Sequence, residues 1–157
     1  MMKLMLPIFL LFTCLTTGCM SMTDVTDENK YWGGYEPNAK FKLKRDVFLV
    51  SCQGIDEINP PEQYDSAKPR YPNDIAVYRS SPSSWPDVIA VIHAGTTIRI
   101  DAFMQSPWPT NALYVCATIL DGPHHSRIGD INSLSDLSEA GVFGYAPDPT
   151  YLERMLP

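Results

Sequence analysis

Proline limits what this chain can fold into more than any other residue. Fourteen are present, most of them clumped: Pro60-Pro61, Pro69, Pro72, Pro82, Pro86, Pro107, Pro109, Pro123, Pro147 and Pro149. Each fixes φ and removes a backbone N–H, so neither a long helix nor a central strand runs through such a clump. Between them lie short runs rich in β-branched and aromatic residues, at 41–52, 75–79, 88–93, 96–104 and 112–120. Several alternate apolar with polar, as half-buried strands do. In the run Thr97 to Phe103 the apolar side is Ile98, Ile100, Ala102 and Phe103, with the alternation slipping at its end. The spacing therefore predicts a mainly β domain, a small barrel or sandwich.

Punctuation within the pattern is specific. Ala94-Gly95 separates two runs at close to hairpin length, and Gly95 can take the positive φ of a tight turn. Asp121-Gly122-Pro123 is a second turn signal. Residues 53–73 read as a long insertion loop. Near the C-terminus, Ser133 to Ala140 carries a capping residue and Leu134/Leu137 at helical spacing, with Gly141 as a stop, which predicts one short helix. Residues 150–156 have the makings of one further turn.

The stretch VIAVIHAGTTIRID, from Val88 to Asp101, resembles the strand-turn-strand of bacterial SH3-like envelope domains, and KLKRDVFLV before it resembles their opening strand. The resemblance implies an SH3-like barrel used for binding or scaffolding, and it carries over no catalytic residue. The long insertion departs from a minimal barrel.

The N-terminus reads as an export leader. Lys3 precedes an apolar run from Leu4 to Leu15, the layout of a signal peptide and too short to span a bilayer. Leu15-Thr16-Thr17-Gly18-Cys19 resembles the lipobox of bacterial lipoproteins, with the usual leucine displaced by one position. That resemblance implies cleavage before Cys19 and a lipid on its sulfur. Residues 1–18 are then the signal peptide, 19–31 a polar tether and 32–157 one globular domain. The expected location is the bacterial envelope, anchored to the outer membrane and facing the periplasm, with no transmembrane helix in the mature chain. An ordinary signal peptide releasing a free protein is the alternative.

Four cysteines are present. Cys14 leaves with the leader and Cys19 carries lipid, so Cys52 and Cys116 remain as an even pair in an oxidising compartment. A Cys52–Cys116 disulfide is expected; two buried free thiols are the alternative. No CxxC or Cys/His cluster has metal-ligand spacing, so no metal or cofactor is expected.

The net charge is −6, which argues against nucleic acid as a partner. The one basic cluster, Lys40 to Arg45, alternates with Phe41 and Leu43 and reads as a solvated strand face. There is no G-x-S-x-G elbow, Ser-x-x-Lys pair, HExxH motif or phosphate-cradling glycine loop, and no catalytic residue is assigned. His93, His124 and His125 fall at strand ends and in a turn. Asp56, Glu57, Asp101, Asp121 and Asp130 are candidate paired carboxylates only by type.

Aromatic residues are the more unusual feature. Trp85-Pro86 and Trp108-Pro109 recur in two loops, and Trp32 with Tyr35 forms a third group. Tryptophan and tyrosine dominate binding hot spots, so Trp85, Trp108, Trp32 and Tyr35 are the candidate binding residues. The alternative is that each ring folds back to close an end of the barrel. The expectation is a non-catalytic envelope lipoprotein that binds a protein partner, as scaffold, accessory subunit or inhibitor. A module for cell-wall glycan or peptide, and a small envelope hydrolase, are the rival readings.

Overall fold

The computed structural model describes residues 22–52, 54–63, 70–136 and 145–156. Cys14, Cys19 and the lipobox lie outside these residues. Among the described residues eleven strands are formed: β1 (Thr23–Asp24), β2 (Lys40–Leu43), β3 (Val47–Val50), β4 (Asp56–Asn59), β5 (Val88–Ile92), β6 (Thr97–Gln105), β7 (Leu113–Ile119), β8 (Ile128–Asp130), β9 (Ser135–Asp136), β10 (Ala146–Pro147) and β11 (Leu152–Arg154). Nine belong to one mixed sheet ordered β11-β2-β6-β7-β8-β4-β3-β5, with β1 also on β6, while β9 and β10 pair separately. The domain is mainly β, as the proline spacing predicts. It is not a closed barrel, because β11 and β5 end the ladder without pairing to each other.

A bent ribbon shapes the sheet. The run at 41–52 is not one strand but two, β2 and β3, broken at residues 44–46. β2 pairs with β6, whereas β3 pairs with β5. Residues 93–96 make the matching bend on the return path, so Ala94-Gly95 is a corner and not a simple hairpin turn. The corners are tied together: Leu43 N–H donates to Thr96 O (2.9 Å) and Gly95 N–H donates to Leu43 O (2.7 Å). Gly95 has φ +91°, a conformation that disfavours any residue with a Cβ. The Asp46 carboxylate accepts from Ala94 N–H at 2.9 Å and meets His93 Nδ1 at 3.3 Å and the Arg79 guanidinium at 3.4 Å.

The main core lies under the inward residues of this sheet, including Phe41, Leu49, Ile58, Ile100, Val115 and Ile131. A second cluster sits on the other face of β3 and β5, where Phe48, Val50 and Val88 meet Tyr71, Ile75, Tyr78 and Trp85. The last group comes from α1 (Ile75–Ser80) and its flanks, so the strand expected at 75–79 is a helix. The Asp74 carboxylate caps it by accepting Ala76 N–H, and Ile75 and Tyr78, three apart, face Phe48 together.

Three further expectations change. The tether is partly folded. β1 pairs with β6, Val25 and Tyr31 are buried, and Val25 N–H donates to Phe103 O at 2.9 Å. The insertion loop contains β4, a full member of the sheet. At the C-terminus, Asn132–Leu134 is a 3-10 turn followed by β9, and the expected turn at 150–156 contains strand β11. The C-terminal helix is therefore absent over residues 133–136, and its remainder lies outside the described residues.

Candidate functional site

β5 is the last strand of the ladder, and a groove of about 370 Å³ opens beside it. Its floor is apolar, made by Ala90, Ile92 and Ile119, all buried. Its rim is polar and comes from three elements: Tyr78 and Arg79 from α1, His93 from the corner, and Asp121 and His124 from the β7–β8 loop. The corner geometry holds the rim in place. Asp46 fixes Arg79 and His93, and the Asp121 carboxylate accepts Thr97 N–H through both oxygens at 3.1 Å. Burial pushes the Asp46 carboxyl up, but Ala94 N–H, His93 and Arg79 outweigh it and lower its pKa. An apolar trough flanked by an end strand and a polar rim is suited to an extended chain, which would add backbone hydrogen bonds to the strand and side chains to the trough.

The sequence singled out His93, His124 and Asp121 individually, and the structure brings them to one groove. It missed Asp46, Tyr78 and Arg79. The available signal was Asp74 followed by Ile75-x-x-Tyr78, a capping residue and helical spacing. His125 lies outside the groove lining, with Nδ1 3.3 Å from Gly122 O. Among the described residues no three of His, Cys, Asp and Glu are grouped to hold a metal ion.

The aromatic candidates do not share a surface. Tyr35 is fully buried, its hydroxyl 3.0 Å from Ser135 Oγ and 3.3 Å from Leu134 O, and burial raises its pKa. Trp32 packs on the main core and donates its indole N–H to Thr26 O at 2.8 Å. Trp85 is half-buried against the second cluster. These three rings act in packing, and Trp108 alone of the four is fully presented, at 82% exposure. Its loop is tightly braced. Ser106 N–H donates to Ala112 O at 2.8 Å, Ala112 N–H donates to Ser106 Oγ at 2.7 Å, and Ser106 Oγ and Thr110 Oγ1 are 2.9 Å apart. The Trp108–Pro109 bond is cis.

In the structure Cys52 and Cys116, the pair expected to form a disulfide, stand as free thiols. Sheet order is the reason. Val50, Glu57, Asp130 and Cys116 pair in sequence across β3, β4, β8 and β7. Three ladder steps, about 14 Å along the sheet, separate Val50 from Cys116, and Cys52 follows Val50 by two residues. A bridge needs Cα atoms within about 7 Å. Burial, with Glu57 alongside, raises the Cys52 thiol pKa. Burial, with Asp130, Asp101 and Asp24 nearby, pushes the Cys116 thiol up to about 12. A buried thiol held in its neutral form is a poor nucleophile.

Of the candidate carboxylates Glu57 and Asp130 are direct neighbours, side by side across the β4–β8 pair. Glu57 is bound by Arg70 at 3.1 Å, Asp56 by Arg127 at 2.8 Å and Asp101 by Arg99 at 2.7 Å. Asp130 is buried and accepts Val115 N–H at 3.1 Å and Asn132 N–H at 3.2 Å. No family model, curated protein or solved structure matches the chain.

Proposed function

We propose that this chain is a non-catalytic envelope lipoprotein, anchored through Cys19, whose domain binds a partner protein by taking an extended segment of it along β5. The groove beside the end strand is the observation that carries this reading. Edge strands accept added strands, and apolar floors with polar rims give such added strands their side-chain specificity. The net charge of −6 favours a basic partner, in keeping with an inhibitor or accessory role. The bent β2–β3 and β5–β6 ribbon supports an SH3-like origin for the scaffold.

Photo-crosslinking in the intact envelope tests the binding mode. A benzoylphenylalanine at His124, on the groove rim, is expected to give one discrete adduct with another protein. The same probe at Lys42, exposed on β2, is expected to give none. Introducing Val91→Asp beside the groove should abolish the His124 adduct. Equal adducts at His124 and Lys42, or none at either, would overturn the reading.

A further inference from the structure

The direction of β1 shows which end of the domain faces the anchor. β1 runs antiparallel to β6, with Thr23 opposite Gln105 and Asp24 opposite Met104. The chain therefore enters β1 from the end at which β6 leaves the sheet for the Trp108 loop. Cys19 precedes Thr23 by four residues, a reach of at most about 14 Å for an extended chain. A lipid on Cys19 would therefore tether the domain by the end that carries the most exposed large apolar ring of the hairpin.

Charge is distributed to match. In a chain of net charge −6, no charged residue occurs between Asp101 and Asp121, a span that includes all of the β6–β7 loop. Nor is there one between Cys19 and Thr23. Asp24 is the first carboxylate on the anchor side. It lies at the level of Met104, and its oxygen accepts Thr26 N–H at 2.9 Å and Thr26 Oγ1–H at 2.5 Å. Asp130 and Glu57 lie deeper in the sheet, along the row that contains Cys116. A neutral, hydrogen-bonded loop carrying one exposed indole suits the headgroup layer, where tryptophan's apolar body and N–H are both satisfied. The same loop escapes the repulsion that the acidic remainder meets at an anionic surface.

We infer that Trp108 forms a second, non-covalent contact with the bilayer that holds the Cys19 lipid, seating the domain on the membrane with the β6–β7 tip down. This rests on the lipoprotein reading. The test uses the mature protein purified from the envelope and reconstituted in phosphatidylethanolamine/phosphatidylglycerol vesicles whose acyl chains carry bromine. The mass of its N-terminal peptide is measured first, which judges the Cys19 anchor without reference to Trp108. With acylated protein, bromolipid is expected to quench the indole fluorescence. Trp108→Phe should remove most of that quenching while leaving the thermal melt in place, since Trp32 and Trp85 are packed into the fold. Quenching that is absent, or unchanged in Trp108→Phe, overturns the contact and leaves the lipoprotein reading standing. An unacylated mature N-terminus overturns both. If Trp108 is shielded from aqueous iodide only when other envelope proteins are added, and not by vesicles alone, the ring meets a protein and the proposal fails.

Discussion

Asp130 shows how one residue's surroundings decide its charge. Two backbone N–H groups, from Val115 and Asn132, point at its carboxyl and favour the ionised form. Burial opposes them and wins, with Glu57 across the β4–β8 pair adding repulsion, so the pKa rises to about 7. On β7 the facing group is Cys116, neutral up to about pH 12, and Glu57 is itself partnered by Arg70. An unfolded aspartate titrates near 3.9. Between about pH 4 and pH 7 the folded chain therefore keeps a proton that the unfolded chain has lost. The stabilisation is complete below the unfolded value and fades as pH rises through the folded one, by at most about 1.4 kcal/mol per pH unit. Asp130→Asn keeps an oxygen for the two N–H groups and cannot ionise. Its urea midpoint should gain on the wild type between pH 5 and pH 8, and parallel midpoints would show that Asp130 is ionised throughout. The sequence offers Asp130 only as one acidic residue among several, because its burial depends on a parallel pairing with β4, some seventy positions earlier in the chain.

At the level of elements, local pattern was readable where local physics decides. β5, β6 and β7 lie where the apolar alternation places them. The slip at Ile100, Ala102 and Phe103 is a β-bulge: the β6–β7 register skips Asp101, and the extra residue returns Phe103 to the core. Asp101 is left free to accept hydrogen bonds from Arg99 and Thr118. α1 was misread because Ile75, Val77 and Tyr78 are β-prone, yet the Asp74 cap and a hydrophobic face toward Phe48 outweigh propensity. The ribbon corner could not be read, since Lys44-Arg45-Asp46 carries no breaker. What holds it is Asp46, reaching across to Ala94, His93 and Arg79. Asp46→Ala should therefore cost about 1–2 kcal/mol in equilibrium unfolding. Asp46→Asn keeps an acceptor for Ala94 N–H and should cost less. Equal losses would assign the corner's stability to the ion pairs and not to the backbone hydrogen bond.

Across the whole molecule, composition announced a β domain but left its strand order hidden. The order depends on β4, which lies inside what reads as an insertion and wedges with β8 between β3 and β7. For the same reason the candidate groove was legible only in part: His93, Asp121 and His124 stood out one by one, while Tyr78 and Arg79, which join them on the rim, did not. The cysteine pair is the sharpest consequence. Counting thiols favours a bridge, but a bridge needs β3 and β7 as neighbours, and two strands stand between them. Reductant should therefore leave the melting temperature of the protein unchanged. Without reductant, iodoacetamide should modify the half-buried Cys52 in the native protein. Cys116, 5% exposed and with its thiol pKa near 12, should react only after unfolding. Mass spectrometry of the labelled chain reads both steps. Two thiols that stay blocked in denaturant until reductant is added would mean a disulfide, and the β3-β4-β8-β7 order would have to be abandoned with the free thiols.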